Sequence, residues 1–450
     1  MIGNAVSALA LRLTRPQRWQ LWREAVARDS WTAADLHAFQ TNRLRALLEH
    51  LAAHVPFYRP LLTGLDLTTT DCREVLASLP LVDKTTIREG GADFRCDPSV
   101  AGQSVTQTTG GSSGIVFEFQ VGLADREFRS AVDMRTRTWA GWQLGGRQAQ
   151  IWGHAADVAR AGNLGGKIRN ALLHRTLTIN CLDMQVDDLE NHLRSLAEYR
   201  PQILVGYASA LGFLAEGAGD GWAMTGLRGI ISSAETLLPE VRQQIEKAFG
   251  VPVLDRYGSR EMGVVAQQCE QIGGLHQTSD RLVIEILDSD GRPCRDGERG
   301  ELVLTDLDNR VMPLVRYRTG DLAIATDERC PCGRPYPLLR TVSGRVSDLL
   351  VGVNGRVVSC PGPTFFLAGN PGVRQLQIVQ DHPERILLRL VPTSEWGEDH
   401  QAHLIGRLHD LLGAISVEVE LVEEIPPSPS GKFRFSISSV SPFQSKPPSS

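Results

Sequence analysis

No apolar run in this sequence approaches the roughly 18 residues that a membrane-crossing helix requires, so a spanning segment is not expected. The opening stretch, MIGNAVSALALRLTRP, has no basic residue ahead of its short apolar segment, which is the wrong order for a secretory signal. Cysteine is sparse, with eight scattered through 450 residues. That density is too low for a disulfide scaffold and suits a reducing compartment, so a cytoplasmic location is expected. Positive charge is not in excess either. Lys and Arg number 47 against 52 Asp and Glu, a net charge of −5, which excludes a supercharged nucleic-acid binder. There is no internal repeat. With 42% hydrophobic and 22% charged residues the chain is neither disordered nor collagen-like. Two familiar phosphate signatures are also missing: no Gly-Lys-Ser/Thr closes a Walker loop, and no G-x-G-x-x-G marks a dinucleotide site.

What is present is a long α/β pattern. Leu36, Phe39, Leu44, Leu47, Leu48 and Leu51 recur at helical spacing, and Pro56 ends that helix. From about 100 to 340, short apolar runs alternate with helical stretches. Strands are expected at Ala149–Trp152, Ile203–Gly206, Gly229–Ser232, Val251–Tyr257, Leu282–Leu287 and Glu301–Thr305. Helices are expected at Asp125–Gly141, Asp187–Tyr199 and Pro239–Phe249. This alternation predicts an α/β fold with a largely parallel sheet. Beyond about 345 the pattern shifts to a small α+β unit. Strands are expected around Leu376–Ile378, Ile386–Leu390 and Val417–Leu421, and a helix around Leu404–Leu412. The Ser/Pro-rich end, 437–450, reads as a disordered tail.

The segment TQTTGGSSGIVFEF (Thr106–Phe119) packs glycines among small hydroxyl residues. Small residues let backbone N–H groups approach a phosphate, and hydroxyls add donors. Taken alone, the segment fits a plain turn as well as a phosphate cradle. Four soft donors, Cys269, His276, Cys330 and Cys332, could hold a structural tetrahedral zinc; buried thiols and a loop histidine are the alternative.

Several phrases occur in a telling order: SSAET (Ser232–Thr236), YGSREMG (Tyr257–Gly263), RYRTGD (Arg316–Asp321), GRVSDL (Gly344–Leu349) and IPPSPSGKFR (Ile425–Arg434). Together they resemble the core motifs of the adenylate-forming superfamily of acyl-CoA ligases. The match is nearest to the phenylacetate–coenzyme A ligase family and its capsule-biosynthesis-like relatives. VPFYRP, LPLVDKTTIRE (Leu79–Glu89) and GYASAL (Gly206–Leu211) are similar to the same subfamily, and the resemblance spans about 40–436.

The resemblance implies an α/β fold with a large nucleotide- and acyl-binding domain at 1–345 and a small mobile α+β domain at 346–436, pivoting at Ser347 and Asp348. It implies ATP-dependent activation of a carboxylate through an acyl-adenylate, followed by transfer to coenzyme A. An amine or carrier-protein thiol as acceptor, and a non-catalytic adenylate-binding scaffold, remain alternatives. Thr108, Thr109, Gly110, Gly111, Ser112, Ser113 and Gly114 match the phosphate loop, although Val116 stands where the family has proline. Ser233, Ala234 and Glu235 match the adenine-flanking strand end, with Tyr257 and Gly258 beside the nucleotide. Glu261 matches the carboxylate that holds Mg2+. Asp321 matches the acid that takes the ribose hydroxyls, and Arg345 the arginine at the domain junction. Lys432 matches the catalytic lysine. Tyr207 and Ala208 are candidates for the acyl pocket, and some relatives of this family resemble the cysteine–histidine pattern and carry zinc there. The implied partners are a small carboxylic acid and coenzyme A or another nucleophile, with neither nucleic acid nor membrane; a homodimer stays open.

Overall fold

The computed structural model describes residues 2–110, 116–152, 170, 175–180, 189–222, 224–345, 349–353, 357–359, 366, 370, 372–426 and 435–440. The chain opens with helices Ile2–Thr14, Pro16–Arg28 and Ala33–His54. The third begins at a capping box, in which the Thr32 side chain accepts from the Asp35 amide and Asp35 returns the bond to the Thr32 N–H. Its leucine stripe, Leu36, Leu44, Leu47, Leu48 and Leu51, is buried. Most of it joins a core with Val75, Phe94, Phe117 and Leu304. The expected helix is therefore present and packs on the sheet region that follows.

Strands β1 (Ser104–Gly110) and β2 (Val116–Gly122) form an antiparallel hairpin around the glycine-rich segment. Helix Leu123–Trp139 follows. The next strands are β3 (Gln148–Trp152), β4 (Thr176–Asn180), β5 (Ile203–Gly206), β6 (Gly229–Ser233) and β7 (Val253–Ser259). After them come β8 (Gly263–Gln267), β9 (Leu275–Gln277), β10 (Leu282–Leu287), β11 (Arg299–Asp306), β12 (Tyr317–Ala325) and β13 (Leu338–Arg345). These join β3 and β4 in one 11-stranded sheet of order β10-β11-β12-β13-β9-β8-β7-β6-β5-β3-β4.

The expectation of a largely parallel sheet needs correction. Pairings β4–β3, β3–β5, β5–β6 and β6–β7 are parallel, but every pairing from β7 to β10 is antiparallel. The physical reason is the connections. Helices such as Ala208–Ala218 and Pro239–Phe249 carry the chain back across the parallel half. From 260 onward short turns join neighbours directly, and short turns can only make antiparallel pairs. Helix Pro239–Phe249 matches expectation to the residue, with proline in its first turn and Gly250 at φ +68° closing it.

The C-terminal region has its own sheet. Strands β14 (Leu349–Val351) and β15 (Val357–Ser359) form a hairpin. Strands β16 (Val373–His382), β17 (Arg385–Pro392), β18 (Ser416–Leu421) and β19 (Ser436–Ser438) form a four-stranded sheet of order β18-β17-β16-β19. Helix Glu398–Leu412 covers it through Leu404, Leu408 and Leu412, which pack with Leu350, Ile378 and Leu388. The tail begins later than expected. Ser436–Ser438 pairs in parallel with Ile378–Gln380, because Ile437 continues an apolar strand pattern that the surrounding serines disguise. Residues 441–450 lie outside the described residues. Among the described residues no helix is long and apolar enough to cross a membrane.

Candidate active site

The parallel register brings the predicted residues to one edge. Ile151 lies opposite Gly206, Gly206 opposite Ser232, and Ser233 opposite Arg256. The residues that leave these strands at their carboxyl ends are Trp152, Tyr207, Ser233–Glu235 and Tyr257, so they follow one another along a single rim. Ligands of open α/β sheets bind at such a rim. Ser233 is buried, and the chain then turns through Ala234 at φ +70°. A left-handed alanine is strained, and such strain is held only where the surroundings over-determine it. Tyr207 is half-buried with its ring centroid 4.7 Å from that of Trp152. Ala208 is 4% exposed and starts helix Ala208–Ala218, so it lends this rim backbone more than surface.

Strands β7 and β8 form a tight hairpin whose turn carries Glu261. An added Cβ on Gly258 would stand 2.6 Å from the carbonyl oxygen of Gly263, so glycine is required for the two strands to meet. Glu261 is 5% exposed. Its carboxylate receives the Lys84 ammonium at 2.9 Å and the Tyr317 hydroxyl at 3.4 Å. Lys84 starts helix Lys84–Gly90, which Asp83 caps by accepting from the Thr86 amide. The cap fixes where the lysine emerges. This lysine was not singled out from sequence, although it lies within the LPLVDKTTIRE phrase; a charged residue directly after a capping aspartate was the available signal.

Two further links close the site. The Tyr257 hydroxyl donates to Asp321 Oδ2, which joins the rim to strand β12. Asp321 also stands opposite Arg345 in the β12–β13 ladder, so the predicted ribose acid and junction arginine occupy one register position. On the other side, Arg260 Nη1 donates to the Thr108 carbonyl at 3.3 Å, which ties the glycine hairpin to the turn carrying Glu261. Thr109 and Gly110 end β1 opposite Phe117 and Val116. Gly111, Ser112, Ser113, Gly114, Ser347, Asp348 and Lys432 lie outside the described residues.

The soft-donor cluster assembles away from this rim, between the end of β8 and the loop before β13. Ligand atoms of Cys269, His276, Cys330 and Cys332 all lie within 4.8 Å of one another. Cys269 Sγ and Cys330 Sγ are 3.6 Å apart, and Cys332 Sγ lies 3.4 Å from His276 Nε2. A disulfide would need about 2.05 Å. A tetrahedral zinc with bonds of about 2.3 Å to sulfur and about 2.0 Å to nitrogen sets such edges near 3.8 and 3.5 Å. The donor set therefore fits zinc. His276 Nδ1 faces the Tyr336 carbonyl at 3.4 Å, which leaves Nε2 toward the thiols. Burial pushes the Cys269 thiol up to about 12 and the His276 imidazole down to about 4. Trp139 and Trp142 pack in the same apolar cluster as Cys269 and Cys330 and are core residues.

Known proteins converge on this reading. The AMP-binding enzyme family matches residues 170–307, and the CapK C-terminal domain matches 354–439. A phenylacetate-coenzyme A ligase of Thermus thermophilus is 28% identical over 335 residues, 71% of this chain and 73% of its own length. The protein CapK of Staphylococcus aureus is 23% identical over 425 residues, 90% of each chain. A crystal structure of 2-hydroxyisobutyryl-CoA ligase in its postadenylation state, with 2-HIB-AMP, superposes at TM-score 0.68 with 24% identity, covering 92% of this chain and 91% of that one. The chain thus carries an AMP-binding enzyme match over residues 170–307 and is similar, over 71% of its length, to phenylacetate-coenzyme A ligases.

Proposed function

We propose that the protein is an AMP-forming acid–thiol ligase that activates a small carboxylic acid with ATP and passes the acyl group to coenzyme A. The observation that carries this reading is the convergence of Tyr257, Asp321 and Glu261 beside the strand ends of the parallel half-sheet. A substrate carboxylate oxygen attacks the α-phosphorus, forming a P–O bond as pyrophosphate leaves. The acceptor thiolate then attacks the acyl carbon, and AMP leaves.

Each residue has a task set by its chemistry. Asp321, oriented by the Tyr257 hydroxyl, accepts hydrogen bonds from the ribose diol. Ser233–Glu235 are the residues for the adenine, and Thr108–Gly114 with Arg345 those for the phosphates and ribose. Glu261 is the residue for Mg2+, a hard cation suited to carboxylate oxygen, which when bound neutralises the triphosphate. Lys84 supplies a second positive charge at the same carboxylate. Lys432, delivered by a mobile domain beyond about 345, bridges the carboxylate and α-phosphate as charge moves toward pyrophosphate. Trp152 and Tyr207 offer an aromatic wall, which favours an aryl or arylacetyl substrate. The thiol–imidazole cluster holds a structural zinc, and its thiols call for a reducing compartment such as the cytoplasm.

The test is a panel of carboxylates assayed for pyrophosphate release with and without coenzyme A. An active acid alone should give acyl-adenylate and pyrophosphate, and AMP with acyl-thioester only when coenzyme A is present. Lys432→Ala should abolish release while the thermal midpoint stays within a degree or two. Release by that variant at the wild-type rate would remove the lysine from the mechanism; release with no thioester would point to an amine or carrier-protein acceptor.

A further inference from the structure

Beneath the Glu261 turn lies a buried group of three carboxylates, Asp125, Asp306 and Asp308, close enough together to suggest a cation site. Three guanidiniums already occupy it. Asp306 Oδ2 accepts from Arg129 Nη2 and from Arg281 Nη2 at 2.7 Å each. Asp125 pairs with Arg129 Nε at 2.7 Å and with Arg281 Nη2 at 3.4 Å. Asp308 is met by Arg43 and, at 3.7 Å, by Arg281 Nε. Three negative charges face three positive ones, so the group is a closed ion network and not a metal centre.

The network has another output. Arg129 Nη1 donates to the Glu261 carbonyl at 2.6 Å, and Arg281 Nη1 donates to the Met262 carbonyl. Two consecutive peptide carbonyls of one turn are thus held by two guanidiniums that share one carboxylate. Gly263, at φ +71°, packs on both; a Cβ there would stand 3.8 Å from side-chain atoms of Arg129 and of Arg281.

We propose that Arg129 and Arg281 are positioning residues that clamp the peptide backbone of Glu261 and Met262, aim the Glu261 side chain into the nucleotide site, and thereby set its affinity for the divalent cation–ATP complex. The inference rests on the reading of Glu261 as the metal-holding carboxylate. A turn between two strands has few restraints of its own, and its side-chain direction follows the orientation of its peptides. Fixing both carbonyls fixes that orientation. The residue type is also explained. A guanidinium has several N–H groups in a rigid fork and can serve a carboxylate and a carbonyl in different directions; an ammonium is a point charge that cannot hold both in the same geometry. Arg129→Lys and Arg281→Lys therefore keep the charge balance of the buried network and loosen the clamp.

The experiment uses the full chain and four proteins: wild type, Arg129→Lys, Arg281→Lys and the control Arg135→Lys. The Arg135 side chain is 0% exposed, against 1% for Arg281 and 11% for Arg129, and it pairs with Asp280 at 2.7 Å and donates to the Tyr336 hydroxyl, neither of them in the turn. Mn2+ binding in the presence of ATP is read by electron paramagnetic resonance. The Mg2+ half-saturation of pyrophosphate release, the carboxylate KM and the thermal midpoint are read beside it. Loss of one charge-assisted hydrogen bond should weaken cation binding about tenfold in each clamp variant. The carboxylate KM should stay within about twofold of wild type. Arg135→Lys should lower the thermal midpoint and leave both cation readouts unchanged. Clamp variants that bind Mn2+ as wild type does, or a control that weakens binding as much as they do, would overturn the proposal. Should a clamp variant fail to fold, Asp306→Asn, which loosens both arginines at once, must give the same cation defect. Wild type that binds no Mn2+ with ATP would instead overturn the reading of Glu261 itself.

Discussion

Gly258→Ala is the substitution that tests the site's architecture with the smallest chemical change, a single methyl group. The new Cβ would lie 2.6 Å from the Gly263 oxygen and 3.4 Å from the Gly263 carbonyl carbon and the Val264 Cα. Ordinary contact begins at 3.4 Å, so the oxygen must retreat by 3.4 − 2.6, about 0.8 Å. All three opposing atoms are backbone, and no rotamer change can absorb the shift. The strands must separate where Gly258 pairs with Val264 and Ser259 with Gly263, at the base of the turn that carries Glu261. Such overpacking costs about 1–3 kcal/mol of stability. A displacement near 1 Å at a catalytic group costs about 100-fold in rate. The expected result is a folded protein whose carboxylate-dependent pyrophosphate release falls by about two orders of magnitude. The matched control is Gly406→Ala, a helical glycine whose Cβ would meet nothing within 4 Å; it should stabilise the protein by about 0.5–1 kcal/mol and leave the rate alone. Wild-type release by Gly258→Ala, with an unchanged Mg2+ response, would refute the argument that this hairpin sets the position of Glu261.

Three other outcomes are expected. Asp321→Asn should raise the ATP KM at least tenfold, and Tyr257→Phe should raise it by a smaller factor, because the first removes the ribose acceptor and the second only its orienting donor; equal effects in steady-state kinetics would contradict that order. Purified protein should contain one zinc per chain by elemental analysis, and Cys330→Ser should lose it together with thermal stability; a fully folded, zinc-free wild type would rule the site out. Burial pushes the Asp255 carboxyl up from 3.8 to about 6, against the opposing pull of Arg242. Its folded value lies above the unfolded one, so its stabilising contribution is complete below about pH 4 and is lost as pH rises through 6. Asp255→Asn should therefore stabilise the fold by up to about 3 kcal/mol at pH 7 and by little at pH 4; a pH-independent difference in denaturant midpoints would count against this.

Much of the fold was legible because burial imposes a period on the chain. Helix Pro239–Phe249 and strand β10 emerged with the bounds their apolar patterns set. What periodicity does not record is strand direction. The runs at 282–287 and 299–306 look like parallel-sheet strands in isolation, and only the absence of helices between them makes them antiparallel. The short strand Ser436–Ser438 was hidden for a related reason, since three residues are too few to display an alternation. For the site, motifs named Tyr257, Glu261 and Asp321, yet no spacing rule joins positions 257 and 321; their hydrogen bond exists because β7 and β12 belong to one sheet. Lys84, Arg129 and Arg281 escaped notice for the same reason. They lie far from Glu261 in sequence, and their importance rests on partners that folding supplies.

The central claim is carboxylate activation through an acyl-adenylate, and product stoichiometry tests it most directly. Purified protein, ATP, Mg2+ and an active carboxylate should yield pyrophosphate and acyl-adenylate in equal amounts, and AMP with the acyl group recovered as a thioester when coenzyme A is added. ADP and phosphate as products, or no carboxylate-dependent pyrophosphate across a broad acid panel, would contradict the account.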